Sequence, residues 1–267
     1  MKISVVTVCR NAEATIGDAM ESVARQRRDG FEVEHIVVDG GSTDGTIAVL
    51  EAAKGVRWVS GPDRGTYDAM NKGIRLATGD VVGTLNADDV LADDGVLASV
   101  FAALSDPSVG AVYGDVRFVS RGLSSVDAVR AARARRYCTS RFWRPWMFRF
   151  GAMVPHPTFY CRRALFDSLG LYDFERYPKS ADFDLEFRFM RLARVVSRRI
   201  PRCLVVMRTG GQSTAFDNAR FNREDLASLR SHGMASAMPL IYLKYLFKIW
   251  GFVLPRIPFF RTTDTPT

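Results

Sequence analysis

Apolar residues follow two alternating rhythms along the chain. Short runs rich in β-branched residues occur at Ile3–Val8, Val33–Val38, Val56–Ser60, Val81–Leu85 and Gly110–Tyr113; Gly, Asp or Asn bounds them, and they predict strands. Between them, Ala14–Arg27, Thr46–Ala53, Tyr67–Ala77 and Gly95–Leu104 repeat apolar positions at helical spacing. This alternation predicts an α/β fold, a mostly parallel sheet with helices on both faces. Ligands of such sheets bind beyond the carboxyl ends of the strands. The polar clusters of this sequence fall at those ends.

After residue 120 the pattern changes. Arg121–Arg149 is basic, aromatic and weakly periodic, and predicts an insertion or mobile segment over the sheet edge. Pro155–Arg191 returns to α/β texture, and Cys203–Met207 predicts a strand before the polar, Gly-rich Thr209–Thr214. In the apolar stretch Met238–Leu254, 17 residues are interrupted by Lys244 and Lys248. A membrane span needs about 20 predominantly apolar residues. The two lysines lie one turn apart beside Tyr242, Tyr245, Phe247 and Trp250, which suits a helix lying in a membrane interface. A buried core helix is the alternative. Met238–Arg261 also carries Arg256 and Arg261.

Composition narrows the class. With 267 residues, 47% hydrophobic and 25% charged, the chain is neither disordered nor collagen-like. Cys9, Cys138, Cys161 and Cys203 are scattered without a CxxC pair, which excludes a disulfide scaffold and points to reduced thiols. The apolar run of MKISVVTVCR is too short for a signal peptide, so a cytosolic start is expected. The net charge of +8 hides an asymmetry. Residues 1–120 carry 11 basic and 18 acidic side chains, the remainder 26 and 11. The basic half has no C2H2 spacing and no ribonucleoprotein aromatic signature, so nucleic acid is not the expected partner. Phosphate-bearing lipids and metabolites suit the same field.

Four clusters carry the candidate chemistry. VVDGGSTDGT, Val37–Thr46, places Asp39 at a strand end before a glycine turn. It contains neither GxGxxG nor a P-loop, which disfavours a dinucleotide fold and a Walker-type site. GPDRGTYDAMNKGIRLATGD, Gly61–Asp80, sets Asp68 and Asn71 on one helical face, with Lys72 and Arg75 available to a diphosphate. LNADD, Leu85–Asp89, puts Asp88 and Asp89 after an apolar strand, costly for two carboxylates unless they are solvated or paired with a cation. KSADFDLEFRF, Lys179–Phe189, puts Asp182 and Glu186 on one face of a helix.

In order and spacing, VDGGSTDGT, DRGTYDAMNKG and LNADD resemble the family 2 glycosyltransferases of GT-A fold, over about residues 1–215. The resemblance implies a Rossmann-like sheet and an inverting transfer of one sugar from a nucleotide-diphosphate sugar to a hydroxyl. It implies that Thr7 and Asp39 hold the base and ribose, that Asp68 and Asn71 shape the nucleotide pocket, and that Asp88 binds a divalent metal, Mn or Mg. It further implies that Asp182 is the general base, with Asn86, Asp89 and His156 as further candidates. Two positions depart from the family's pattern. Asn86 stands where the Asp-x-Asp element often begins with Asp, and Ala181 replaces the acid that customarily precedes the base. The Gly210–Thr214 stretch resembles a loop closing over the donor, and the Gln-x-x-Arg-Trp signature of processive synthases is absent.

The expected organisation is a 1–215 transferase domain, with 1–120 as nucleotide-sugar half and 121–215 as acceptor half, then a 216–267 helical, membrane-associating tail. A glycan or lipid-linked acceptor and an anionic membrane surface are the expected partners, with the protein peripheral on the inner face of the cell membrane. The rival readings are a sugar-nucleotide nucleotidyltransferase and a non-catalytic nucleotide-sugar or lipid-binding protein. The first would show a basic, Gly-rich loop after the first strand, where this chain has VTVCRNAEATIG.

Overall fold

The computed structural model describes residues 1–210, 218–235 and 238–245. The first half runs β1 (Lys2–Cys9), α1 (Ile16–Ala24), β2 (Glu32–Asp39), α2 (Thr46–Ala52), β3 (Val56–Ser60), α3 (Thr66–Leu76), β4 (Val81–Asn86), β5 (Val90–Leu91), α4 (Val96–Leu104) and β6 (Ala111–Val119). The second runs α5 (Val126–Ala131), β7 (Arg136–Cys138), β8 (Tyr160–Arg162), α6 (Ala164–Leu169), α7 (Ala181–Glu186), β9 (Ser197–Arg208), α8 (Asn218–Ser231) and α9 (Met238–Ile241). Two 3₁₀ turns, Pro145–Phe150 and His156–Thr158, precede β8, and a π turn, Phe187–Leu192, continues α7.

One sheet joins both halves in the order β3-β2-β1-β4-β8-β6-β9-β5, with β7 on β6. The predicted parallel pairing holds from β3 through β4. Beyond it the sheet is mixed: β8, β7 and β5 run antiparallel to their partners, while β9 is parallel to β6. Successive residues of β1 face opposite sides of the sheet. Val5 joins the core under α1 and α4, and Val6 joins the core under α3.

Arg121–Arg149 is not a mobile insertion. Two of its aromatic residues are core anchors, with Phe148 fully buried and Trp143 nearly so. Tyr113, Trp143, Phe148 and Phe183 meet edge to face at centroid distances of 5.3–5.6 Å. Asp115 of β6 pins the same segment by accepting from Ser140 N and Oγ, Tyr137 Oη, Thr139 Oγ1 and Arg199. Lys244, expected on a membrane-facing edge, is buried instead, with Nζ 2.5 Å from Asp225 Oδ2. A buried carboxylate needs a cation, and that need draws Lys244 inward. Lys248, Phe247 and Trp250 lie outside the described residues, as do 211–214 of the Gly-rich stretch. Among the described residues no helix is long and apolar enough to cross a membrane.

Helix α3 seats on β1 through Gly73, where a Cβ would fall 2.2 Å from Val6 Cγ1. Overpacking costs about 1–3 kcal/mol, and the better helix propensity of Ala returns about 1 at most. Gly73→Ala is therefore expected to lower the unfolding free energy by about 1–2 kcal/mol in denaturant titrations. An unchanged midpoint would contradict this close approach.

Candidate active site

Register brings three strand ends together. Cys9 of β1 pairs with Asp39 of β2, Val8 pairs with Asn86 of β4, and Asp39 pairs with Ser60 of β3. The VDGGSTDGT turn, the start of α3 and the LNADD turn thus share one edge of the sheet.

Asp39 is fully buried and heavily engaged. Its Oδ2 accepts from Gly41 N at 3.1 Å, Ser42 N at 3.0 Å and Ser60 Oγ at 2.6 Å, and its Oδ1 accepts from Ser42 Oγ. Burial opposes its charge, but these donors outweigh burial and hold the carboxyl below its ordinary range. Asn11 and Glu13, which the sequence reading passed over, hold the other side of the turn: Asn11 Oδ1 accepts from Thr43 N and Glu13 Oε2 from Gly45 N. Thr7 lies deeper. It is wholly buried and its Oγ1 shares a 2.9 Å hydrogen bond with His35 Nε2, so its side chain reaches no open surface.

At the start of α3, Asp68 accepts from Arg64 N at 3.0 Å and stands 3.4 Å from Lys72 Nζ. Burial works against its charge, and these partners overcome it to keep the carboxyl below its usual range. Asn71, one turn on, is spent on structure. Its Nδ2 donates to Tyr172 O at 2.9 Å and its Oδ1 accepts from Tyr172 N at 3.0 Å, so it clamps α3 to the loop before α7.

In the LNADD turn, Asn86 Nδ2 donates to Asp89 Oδ2 at 2.8 Å, while Asp89 Oδ1 is buried without a partner. Burial raises the affinity of Asp88 for a proton, against the pull of Arg208 and Arg121. Asp89 is pushed far above the usual carboxylate range by burial and then by Asp88. Arg208 of β9 fastens this turn: it donates to Asp88 O at 2.8 Å and to Leu123 O, and pairs with Asp18 of α1. Sequence spacing could not place Arg208, since β9 lies far along the chain. Among the described residues no group of three or more His, Cys, Asp or Glu gathers as a metal cage. The hard oxygens of Asp88, with Asn86 and the orphaned Asp89 Oδ1 beside it, are the set that fits a divalent cation.

Asp182 is half-buried in the first turn of α7. The Tyr67 hydroxyl of α3 lies beside it and donates to Lys179 O at 3.3 Å; burial and Asp182 together drive the Tyr67 proton affinity up. One turn of α3 therefore ties Asp68 to the loop that leaves β3 and sets Tyr67 beside Asp182. His156 is buried, with Nδ1 3.3 Å from Glu186 Oε1 and Nε2 3.0 Å from Tyr172 Oη. It lies behind Asp182 and not on an open acceptor face.

Residues 4–167 match the family described as Glycosyl transferase family 2. The chain belongs to this family. It is a glycosyltransferase. Similar in sequence is a "PGL/p-HBAD biosynthesis glycosyltransferase" of Mycobacterium bovis (strain BCG / Pasteur 1173P2), 30% identical over 269 residues that cover 97% of this chain and 94% of the relative. Solved structures share the GT-A architecture of this family 2 chain. The mannosyltransferase PcManGT from Pyrobaculum calidifontis, in complex with GDP-Man and Mn2+, has a TM-score of 0.62 at 20% identity, covering 95% of this chain and 72% of that one. Glucosyl-3-phosphoglycerate synthase from Mycobacterium tuberculosis, in complex with Mn2+, UDP and glucosyl-3-phosphoglycerate, has a TM-score of 0.57 at 20% identity, covering 88% and 81%.

The Thr7–His35 pair makes a testable pH dependence of this family 2 fold. Burial holds His35 neutral, with its pKa depressed from 6.5 to about 4. Between these values the unfolded chain binds the proton and the folded one does not, so stability rises with pH across that window. Unfolding free energy is expected to fall as pH drops from about 6.5 toward 4, and His35→Gln to flatten this slope. Parallel slopes in the two proteins would refute the assignment.

Proposed function

We propose that the protein transfers a single sugar, with inversion, from a nucleotide-diphosphate sugar to a hydroxyl of a glycan or lipid-linked acceptor, with Asp182 as general base. The observation that carries this reading is the double use of α3. In its first turn Asp68 accepts from Arg64 N in the loop that leaves β3 at Ser60, the donor to Asp39, while Tyr67 borders Asp182, which supports reading the strand-end cluster and Asp182 as one site. The Asp39-held turn offers a rigid rim for the nucleoside, and Lys72, whose Nζ donates to Pro62 O at 2.7 Å, adds positive charge near it. Asp88 is the metal ligand of this reading, with Asn86 and Asp89 at hand; a Mn or Mg ion bound there would neutralise charge on the departing diphosphate.

Asp182 would accept the acceptor's proton as its oxygen attacks the anomeric carbon from the face opposite the diphosphate, which inverts that centre. Tyr67 Oη, which donates to Lys179 O, borders that carboxylate. The relative named for PGL/p-HBAD biosynthesis and the nucleotide-sugar complex of PcManGT support the donor and acceptor classes.

A membrane-side acceptor is supported by one face of the basic half. Phe142 and Trp146 are 65% and 58% exposed, and Arg141, Arg144 and Arg149 are exposed among them. The 145–150 turn packs against α9, and Tyr242, just beyond α9, is 49% exposed. Aromatic rings with interleaved arginines suit an anionic interface, where each basic residue contributes about 1 kcal/mol. On this reading the protein sits peripherally on the cytoplasmic face.

Two measurements check the proposal. Asp182→Asn is expected to lower kcat by about 10²–10⁴-fold while nucleotide-sugar binding, followed by thermal shift with and without Mn2+, stays within a factor of a few. Retained turnover would remove Asp182 from the base role, and a fold stabilised by no nucleotide diphosphate would overturn the donor class. In vesicle sedimentation at low salt, the protein should bind anionic but not neutral lipid. Joint Phe142→Ala and Trp146→Ala should weaken that binding about tenfold or more. Equal binding by both proteins would remove this face from the reading.

A further inference from the structure

Behind Asp182 lies a buried ionisable pair that the sugar-transfer reading leaves unused. Glu186 stands one turn along α7 and is fully buried, with Oε1 3.3 Å from His156 Nδ1 and with Oε2 partnerless. His156 enters from the 3₁₀ turn before β8, fixed by Pro155 and Pro157. Its Nε2 lies 3.0 Å from Tyr172 Oη and 3.5 Å from Thr84 Oγ1. The Tyr172 ring stands edge-on to the imidazole at 5.5 Å and stacks on Tyr67 at 5.5 Å, and the Tyr67 hydroxyl borders Asp182. One continuous packed chain thus runs from Glu186 through His156, Tyr172 and Tyr67 back to the carboxylate two residues into the same helix.

We propose that His156 and Glu186 are positioning residues: a buried pair that shares one proton and sets both the orientation and the charge environment of Asp182. The inference rests on Asp182 being the base. An isolated buried carboxylate is costly, and a histidine at 3.3 Å relieves that cost only while a proton lies between them. Burial pushes Glu186 up to about 7, with His156 resisting and Asp182 adding to the rise. Burial resists protonation of His156, yet Glu186 and Asp182 hold it above its ordinary value. Both members are therefore shifted upward and titrate as one unit.

The surroundings leave this unit few other sources of charge. Asp182 faces it from α7, Tyr172 from the loop before α7 and Tyr113 from β6, with Arg144 and Arg199 acting on Tyr113 and with Tyr67 and Cys161 reaching the unit only through Tyr172. Asp225, paired with Lys244, lies on the far side of Asp182. Carrying one proton, the pair is neutral overall. A second proton makes it cationic one turn from Asp182 and weakens the base; loss of the shared proton leaves a buried anion and strengthens it. The acid limb of kcat should then report the pair and lie near neutral pH, well above the carboxylate range of about 4.

The test reads the imidazole and the turnover separately. With three histidines in the chain, ¹⁵N imidazole titration by NMR resolves His156, assigned by comparison with His35→Gln and His232→Gln. In the unmodified protein His156 should titrate above 6.5, and its midpoint should coincide with the acid limb of kcat. In Glu186→Gln that midpoint should fall below 6.5, the acid limb should move to lower pH, and kcat should drop about tenfold with little change in donor KM. Glu186→Asp should restore the raised midpoint in part. A His156 that titrates at or below 6.5 in the unmodified protein overturns the proposal without any variant, and so does a Glu186→Gln profile that superimposes on the original. If Asp182→Asn retains turnover while His156 still titrates high, the base assignment fails and the shared proton stands.

Discussion

The two hydrogen bonds between the Asn71 amide and the Tyr172 backbone are the constraint on which the site depends. They are buried, they use both ends of one side chain, and they cross from α3 to the loop ahead of α7. The sheet joins the two halves, and these bonds add a direct tie between α3 and the loop that leads to Asp182. With them, Tyr172 is held where it can stack on Tyr67 and meet His156, and Tyr67 is held beside Asp182. Buried amide pairs of this kind are strong only because water cannot compete for them. Gly73, two residues on, lets the same helix sit directly on β1. One helix thus bears on both the strand-end turns and Asp182.

The split in charge between the halves takes on a different meaning in three dimensions. Much of the arginine excess of the second half closes onto acids of the first. Arg208 pairs with Asp18, Arg202 with Asp93, Arg130 with Asp94, Arg198 with Asp106 and Arg199 with Asp115. The pairs of Arg208 and Arg199 are largely buried, where removing one partner would strand a charge. The asymmetry therefore works first as adhesion between the halves of one sheet. Part of what remains outward, Arg141, Arg144 and Arg149, lies among the exposed aromatics Phe142 and Trp146.

The sequence made the frame legible and the connections illegible. Strong periodicity placed β1–β4 and α1–α4 within a few residues, because those elements bury one face or both. Asp39 and Asp88 stood out as acids at the ends of apolar strands, and Asp68 and Asp182 through their helical spacing to Asn71 and Glu186 and the family resemblance. Strands β5, β7 and β8 have two or three residues each and leave no periodic trace. The roles of Thr7, Asn71 and Lys244 depend on partners 28, 101 and 19 residues away, His35, Tyr172 and Asp225, which no local pattern reveals. Arg121–Arg149 misled for a related reason. Its arginines dominate the composition, while Trp143 and Phe148, spaced irregularly, decide its packing.

The two departures from the family's acidic pattern have a common electrostatic consequence. Asn86 replaces one carboxylate at the strand end, and Ala181 replaces one beside Asp182, the proposed base. In each place an acid survives nearby but buried: Asp89, hydrogen-bonded by Asn86, and Glu186, one turn beyond Asp182. Burial raises the proton affinity of both. A site that must accept a diphosphate gains from every fixed negative charge it does not carry, because repulsion in a low-dielectric cleft is weakly screened. Full charge is kept where it does chemistry or shapes a turn, as at Asp39 and Asp68. At Asp89 and Glu186 desolvation opposes the charge while the hydrogen-bonding atoms stay in place. Burial thereby does the work that a substitution would do, and does it in a way that a bound cation or a change in pH can reverse.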